Sequence, residues 1–281
     1  MNSHILRSDQ LIFFEYCLRL QERERSTIEK YLRDVRSFAH WIADQAVTKE
    51  VVSSWKEHLC GWGYKPETVN GKLSALNSFF SCMGWQECRV KYLKIQRRLF
   101  RSTERELTKE EYEHLLETAQ SHGKMRLALL IETICATGIR VSEVRYITAE
   151  AADRGRADIV MKGKIRTILL PGKLCRKLQK YARKQKIASG EVFLTRSGKG
   201  ISRRQIWAEM KALCKKAGVA PTKVFPHNLR HLFARTFYRA CRDVAKLADV
   251  LGHSNIETTR IYLISTGVEH ARQLERLGLI S

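Results

Sequence analysis

The densest run of polar, reactive side chains in an otherwise apolar setting is Pro226-His227-Asn228-Leu229-Arg230-His231. On a helix His227 and Arg230 stand at i and i+3, share a face and can hold the same anion. Downstream, Leu251-Gly252-His253 sets a histidine directly after a glycine suited to close a helix that Asp243 caps. Ser254 and Glu257 then form a capping box, and Tyr262 falls about two turns into the helix it starts. Upstream, Ala136-Thr137-Gly138-Ile139-Arg140-Val141-Ser142-Glu143 places an arginine after a glycine-broken helix end, with Glu143 at i+3 to orient it. Arginines suit phosphodiester chemistry, because a planar guanidinium holds two nonbridging oxygens and offsets the charge of a pentacoordinate transition state. A phenol with a reference pKa of about 10 is a weak nucleophile at neutral pH and needs a base and a field of positive charge. Taken singly, each residue has an ordinary explanation: a surface or core histidine, a solvated arginine cap, a half-buried tyrosine.

Other chemistries fit less well. His227 and His231 at i and i+4 suggest a metal hydrolase, but Asn228 stands where HExxH enzymes carry their catalytic glutamate. Gly198-Lys199-Gly200 lacks the glycine spacing and the following Ser or Thr of a phosphate-binding loop, which argues against ATP hydrolysis. Eight cysteines, Cys17, Cys60, Cys82, Cys88, Cys135, Cys175, Cys214 and Cys241, contain no CxxC pair and read as reduced, mostly buried thiols.

The elements that must position these residues are mostly helical. The first helix carries the apolar run Leu11, Ile12, Phe13, Tyr16, Cys17 and Leu20. A second opens with a Ser26–Glu29 capping box and carries Ile28, Leu32, Val35, Ala39 and Ile42 on one stripe. A third covers Val51 to Leu59, and a fourth starts near Pro66 with Val69, Leu73, Leu76 and Phe80 in phase. Lys94 to Glu106 is strongly charged without a periodic apolar face, so the boundary falls there: a helical domain over 1–96, a linker over 97–106 and a second domain over 107–281. The second domain opens with a Thr108–Glu111 capping box, and an apolar helix runs from Met125 to Thr137 and stops at Gly138. Ala157–Met161 and Thr167–Leu170, around Lys162-Gly163-Lys164, read as a hairpin, with a short strand at Val192–Thr195.

With 281 residues and 44% hydrophobic content the chain can bury a core, and 51 Lys+Arg against 29 Asp+Glu give it a formal charge of +22. Such an excess favours a polyanion, nucleic acid first, through counterion release. The first ten residues mix polar and charged side chains, and no apolar stretch is long enough for a membrane span, so a soluble, cytoplasmic protein is expected.

Taken together, Ala136 to Glu143, the His227-x-x-Arg230 motif, Leu251-Gly252-His253 and Tyr262 resemble the signature of the tyrosine recombinase (phage integrase) family in order and spacing. The resemblance covers the whole second domain, and the first, through its Thr68 to Phe80 helix, is similar to the family's core-binding domain. It implies a SAM-like helical core-binding domain followed by a catalytic domain of mixed helices with a small β-sheet, of the DNA breaking-rejoining type. It further implies that Arg140 and Arg230 clamp the scissile phosphate, His227 takes the tyrosine proton or positions the phosphate, His253 adds a hydrogen bond, Glu143 supports the site and Tyr262 is the nucleophile. A hairpin lysine would be the general acid; Lys162 matches it best, and Lys164, across one glycine, is the alternative. A tyrosyl ester conserves the energy of the broken phosphodiester, so no metal, ATP or other cofactor is expected. The implied partners are double-stranded DNA recombination sites and further copies of the chain, dimer to tetramer, docked through the C-terminal tail Ser265 to Ser281. Two rivals stand beside this reading: a non-catalytic helical DNA-binding regulator, and a type IB topoisomerase that relaxes DNA alone.

Overall fold

In the computed structural model, which describes residues 4–95, 104–161, 164–253, 255–262 and 275–277, the chain divides into two units, Met1–Arg97 and Arg98–Ser281. The first holds helices α1 (Ser8–Leu20), α2 (Arg25–Ile42), α3 (Lys49–Gly61) and α4 (Pro66–Met83). Pro66 opens α4 where its missing N–H leaves nothing unsatisfied. Ile28, Leu32, Val35, Phe38 and Ile42 of α2 are buried against Trp55, Phe79 and Phe80, with Phe38 and Trp55 edge to face at 5.2 Å. Phe38, rather than the half-buried Ala39, fills the fourth position of the stripe.

The Ser26–Glu29 capping box does not form: Glu24 already has the extended backbone of an N-cap, so α2 starts at Arg25, Ser26 lies inside the first turn, and Glu29 pairs with Arg25 at 2.9 Å. In α1 the inward residues are Phe14 and Leu18, while Ile12, Phe13, Tyr16 and Leu20 of the apolar run are exposed. Cys17 and Cys82 are joined as a disulfide between α1 and α4, which overturns the expectation of eight reduced thiols. Packing of the two helices brings their Cα atoms to 6.8 Å across a sequence separation of 65, a proximity that spacing along the chain does not reveal. Cys88, Cys175 and Cys214 are buried thiols, whereas Cys60 and Cys241 are exposed.

The segment leaving the bundle is stitched to α4 by two asparagines two turns apart. Asn77 Nδ2 donates to the Val90 carbonyl at 3.0 Å and its Oδ1 accepts from Val90 N–H at 3.2 Å; Asn70 does the same for Leu93 at 2.9 and 2.8 Å. Each amide thus replaces the partner that an extended strand would otherwise need.

The second unit contains α5 (Lys109–Ser121), α6 (Met125–Thr137), α7 (Ala149–Arg154), strands β1 (Arg156–Met161) and β2 (Lys164–Leu169), then α8 (Gly172–Lys184), α9 (Arg203–Ala217), α10 (Pro226–Cys241), α11 (Val244–Leu251) and the single turn α12 (Glu257–Arg260). The α6 helix is apolar on nearly every face and packs against α5, α8, α9 and α10, which explains its place at the centre of the core. The Thr108–Glu111 capping box forms, with bonds of 3.1 and 3.0 Å, and Asp243 caps α11 through Lys246 N–H at 2.9 Å. Strands β1 and β2 form an antiparallel hairpin in which Ala157 pairs with Ile168 and Ile159 with Arg166. Around Val192–Thr195 only isolated bridges occur, at Glu191 and Leu194, because neither has a neighbouring strand long enough to continue a ladder. Among the described residues no helix is long and apolar enough to cross a membrane.

Candidate active site

The site is assembled where α6, α10 and α11 end or begin. Gly138 closes α6 in the left-handed conformation, φ +64°, and a Cβ there would lie 2.4 Å from Phe233 of α10, so only glycine lets the two helices approach this closely. The chain then turns into a short 3-10 segment, Val141–Tyr146, with Arg140 as its N-cap residue. Glu143 is buried at the centre of this turn. Its carboxylate accepts from Arg140 N–H at 2.7 Å, from Arg140 Nη1 at 3.0 Å and from Arg166 Nη2 at 3.2 Å. The Arg140 side chain stays 42% exposed, so its remaining donors face solvent.

Arg230, on the buried face of α10, is 2% exposed. Its guanidinium donates to the Gly138 carbonyl, to the Leu251 carbonyl at 2.8 Å and to His253 Nε2 at 2.9 Å. One side chain thereby joins the ends of α6 and α11. Burial pulls the Arg230 guanidinium below its usual range, and its hydrogen bond with Tyr262 opposes that shift.

An imidazole nitrogen that accepts from a guanidinium must be unprotonated, so His253 carries its proton on Nδ1 and donates to Thr259 Oγ1 at 2.8 Å. Burial, then Arg230, Arg140, Arg166 and His227, push His253 down to about 4, and burial with Arg230 and Arg140 lowers His227. Both histidines are neutral at pH 7.

Tyr262 is 3% exposed and packs with Ala234, Leu247 and Leu251. Its ring lies 4.5 Å from that of His231, 5.9 Å from His253 in a stacked arrangement and 6.3 Å from His227. The helix expected to carry it is shorter than the spacing suggested: α12 ends at Arg260, and Tyr262 follows that end. Thr259 turns inward to His253 there, and the Glu257 N–H is taken by Asn255 Oδ1 at 2.8 Å. Ser254, the proposed cap, lies outside the described residues, as do Lys162 and all of the tail 265–281 except 275–277. Lys164 opens β2 opposite Met161, and only its backbone is described.

Sequence reasoning missed Arg166 and Thr259. Arg166 sits on β2 in phase with Ile168, and strand alternation alone would have turned it inward with that residue. An arginine at such a position is a signal, since charged side chains are seldom buried without a partner. Arg166 Nη1 also donates to the Leu251 carbonyl, and burial lowers its guanidinium to about 10. Asn228, by contrast, holds the entering segment through the carbonyls of Arg105 at 2.6 Å and Lys223 at 2.7 Å. Among the described residues no carboxylate or thiol joins His227 and His231 in a potential metal cluster; the one such group, His4, Glu87 and Cys88, is in the first unit.

A helical catalytic unit in which three guanidiniums, neutral histidines and a tyrosine converge, preceded by a four-helix unit, defines an enzyme of DNA strand breaking and rejoining, a tyrosine-type site-specific recombinase. The chain belongs to the phage integrase family: that family's model matches residues 105–267, and the model of the phage integrase N-terminal SAM-like domain matches residues 12–87. Among curated relatives, tyrosine recombinase XerA of Pyrococcus furiosus is 28% identical over 100% of this chain and 98% of its own length. XerA of Thermococcus kodakarensis is 30% identical over 93% of this chain and 92% of its own. Among solved structures, a lambda integrase tetramer bound to a Holliday junction has the same fold, with a TM-score of 0.73 and 18% identity, covering 93% of this chain and 78% of that one. Neither the regulator nor the topoisomerase reading is favoured by these likenesses.

Proposed function

We propose that Tyr262 is the nucleophile of this recombinase and that the reaction passes through a 3′-phosphotyrosyl ester. The carrying observation is the single guanidinium of Arg230, which reaches His253 and lies beside the Tyr262 hydroxyl while Arg140 presents open donors on Glu143. Arg140 and Arg230 would grip the nonbridging oxygens of the scissile phosphate. Neutral His227 takes the phenolic proton as the Tyr262 Oη–P bond forms, the P–O5′ bond breaks, and the leaving 5′ oxygen takes a proton from Lys162, with Lys164 as the alternative donor. His253, with one nitrogen on Arg230 and the other on Thr259, keeps that guanidinium aimed. Attack of a second strand's 5′ hydroxyl on the tyrosyl ester reverses these transfers, so strand exchange needs no ATP, and the guanidiniums supply the positive charge that a metal would otherwise bring.

Residues 1–96 serve as the core-binding domain and 107–281 as the catalytic domain, joined by 97–106, and the two grip one duplex mainly through phosphates. The substrate is double-stranded DNA carrying a recombination site. The lambda integrase structure is a tetramer on a Holliday junction, and a dimer-to-tetramer assembly here, docked through residues 265–281, fits the need to exchange strands between two duplexes. The chain acts in the cytoplasm.

The test is a denaturing-gel assay for a covalent adduct, in EDTA, on labelled nicked duplexes drawn from DNA flanking the gene. An EDTA-resistant adduct that disappears in Tyr262→Phe is the expected result. An adduct that persists in that variant would remove Tyr262 from its role, and specific binding without any adduct would return the chain to the regulator reading.

A further inference from the structure

Besides Arg230, a second side chain, contained in none of the sequence motifs, joins the two limbs of the site. Arg166 projects from β2 and is 15% exposed at its side chain. Its Nη2 donates to Glu143 Oε2, the same oxygen that accepts the Arg140 backbone N–H, and its Nη1 donates to the Leu251 carbonyl, the same oxygen that accepts from Arg230 Nη2. Arg166 therefore meets Arg140 at one acceptor and Arg230 at another. The Leu251 carbonyl belongs to the last residue of α11, two positions before His253.

Backbone geometry keeps the path open. Gly252 has φ +63°, and a Cβ on it would lie 2.4 Å from both Cδ and Nη1 of Arg166. The helix stop before His253 is thus shaped around the arginine as well as by its own left-handed turn. The Arg166 guanidinium is itself mostly buried, and its Nη groups would be costly to leave without these two acceptors, which favours the bridge.

We infer that Arg166 is a positioning residue for strand cleavage, fixing the Arg140–Glu143 turn and the Leu251–His253 turn relative to one another so that Arg140 and Arg230 meet the scissile phosphate together. This rests on the reading of the site given above. The two arginines it orients act on the negative nonbridging oxygens, so loss of Arg166 matters in proportion to that charge. A misplacement of an ångström or so at such a site slows the chemical step about 100-fold.

The experiment compares single-turnover cleavage by the full chain, Arg166→Met and Arg166→Lys on the nicked duplex identified by the adduct assay. A second duplex carries an uncharged methylphosphonate at the scissile position. On the phosphodiester, Arg166→Met should cleave about 100-fold more slowly at saturation while its half-saturating DNA concentration stays within about threefold. On the methylphosphonate, which is uncharged and keeps a single nonbridging oxygen, less charge needs the paired guanidiniums and the deficit should shrink to about fivefold or less. Arg166→Lys keeps the charge but cannot fork to both acceptors, and should fall between the two. A phosphodiester rate within about threefold of the unsubstituted chain, or an equal deficit on both duplexes, would overturn the inference. Should Arg166→Met lose its helical circular dichroism, Arg166→Lys alone is read by the same criteria. Absence of adduct from the unsubstituted chain on both duplexes would instead overturn the reading of the site itself.

Discussion

Arg230 Nη2 and His253 Nε2 hold each other at 2.9 Å, and that bond decides which nitrogen of the imidazole carries its proton. Burial first, and then the neighbouring cations of Arg230, Arg140 and Arg166, push His253 down to about 4 from an ordinary value near 6.5. Since the unfolded chain takes up a proton at higher pH than the folded one, stability is fully present above about pH 6.5 and falls as pH drops toward about 4. Thermal melts across that window should show a falling Tm, and His253→Gln should flatten the slope. A melting profile for His253→Gln as steep as that of the unsubstituted chain would assign the slope to other groups.

Glu143 carries two guanidiniums on one buried carboxylate. Glu143→Gln leaves the Arg166 charge buried without its counter-ion, a loss of up to about 3 kcal/mol, moderated because Arg140 is part-exposed and screened. Denaturant titration should show a lower midpoint at unchanged slope. Cleavage should fall with it, since Arg140 loses its orienting partner, and a variant as stable and active as the original chain would contradict both effects.

Asn77 satisfies both the N–H and the carbonyl of Val90 from a buried position. Asn77→Ala removes both bonds at once and should cost about 2 kcal/mol. Asn77→Asp sets a buried carboxylate oxygen against the Val90 carbonyl and should cost at least as much as Asn77→Ala. Equal melting temperatures for Asn77→Ala and the unsubstituted chain would show that the exit segment is held by packing alone.

Association with DNA should weaken steeply with salt, as expected for a chain of net charge +22 that grips phosphates. Between 50 and 200 mM salt the affinity should fall by about a thousandfold or more. Fluorescence anisotropy on a duplex of any sequence suffices, and an affinity insensitive to ionic strength would rule out the phosphate grip.

What the sequence made legible was periodic or local. The α6 helix and its stop at Gly138 follow from continuous apolar content and a residue free to turn left-handed, and the Thr108–Glu111 cap from a box of two side chains. Arg140, Glu143, Arg230 and His253 were each visible as residues, but their shared acceptors at Glu143 and Leu251 are products of packing between segments far apart in the chain. The Ser26–Glu29 box failed because Glu24 took the cap two positions earlier, a competition that motif matching does not weigh. The Cys17–Cys82 bridge was hidden for the same reason as Arg166: it depends on which faces of two elements meet.

At Gly252 the backbone is left-handed and the space where a Cβ would sit is filled by Arg166. Every other coded amino acid carries a Cβ. All single-base changes that alter a glycine codon's meaning therefore bring an obstruction to this turn or end the chain, and only third-base changes pass unnoticed. The position is closed to gradual substitution: beside Arg166 the space is filled, and even with Arg166 exchanged the left-handed turn would still call for glycine.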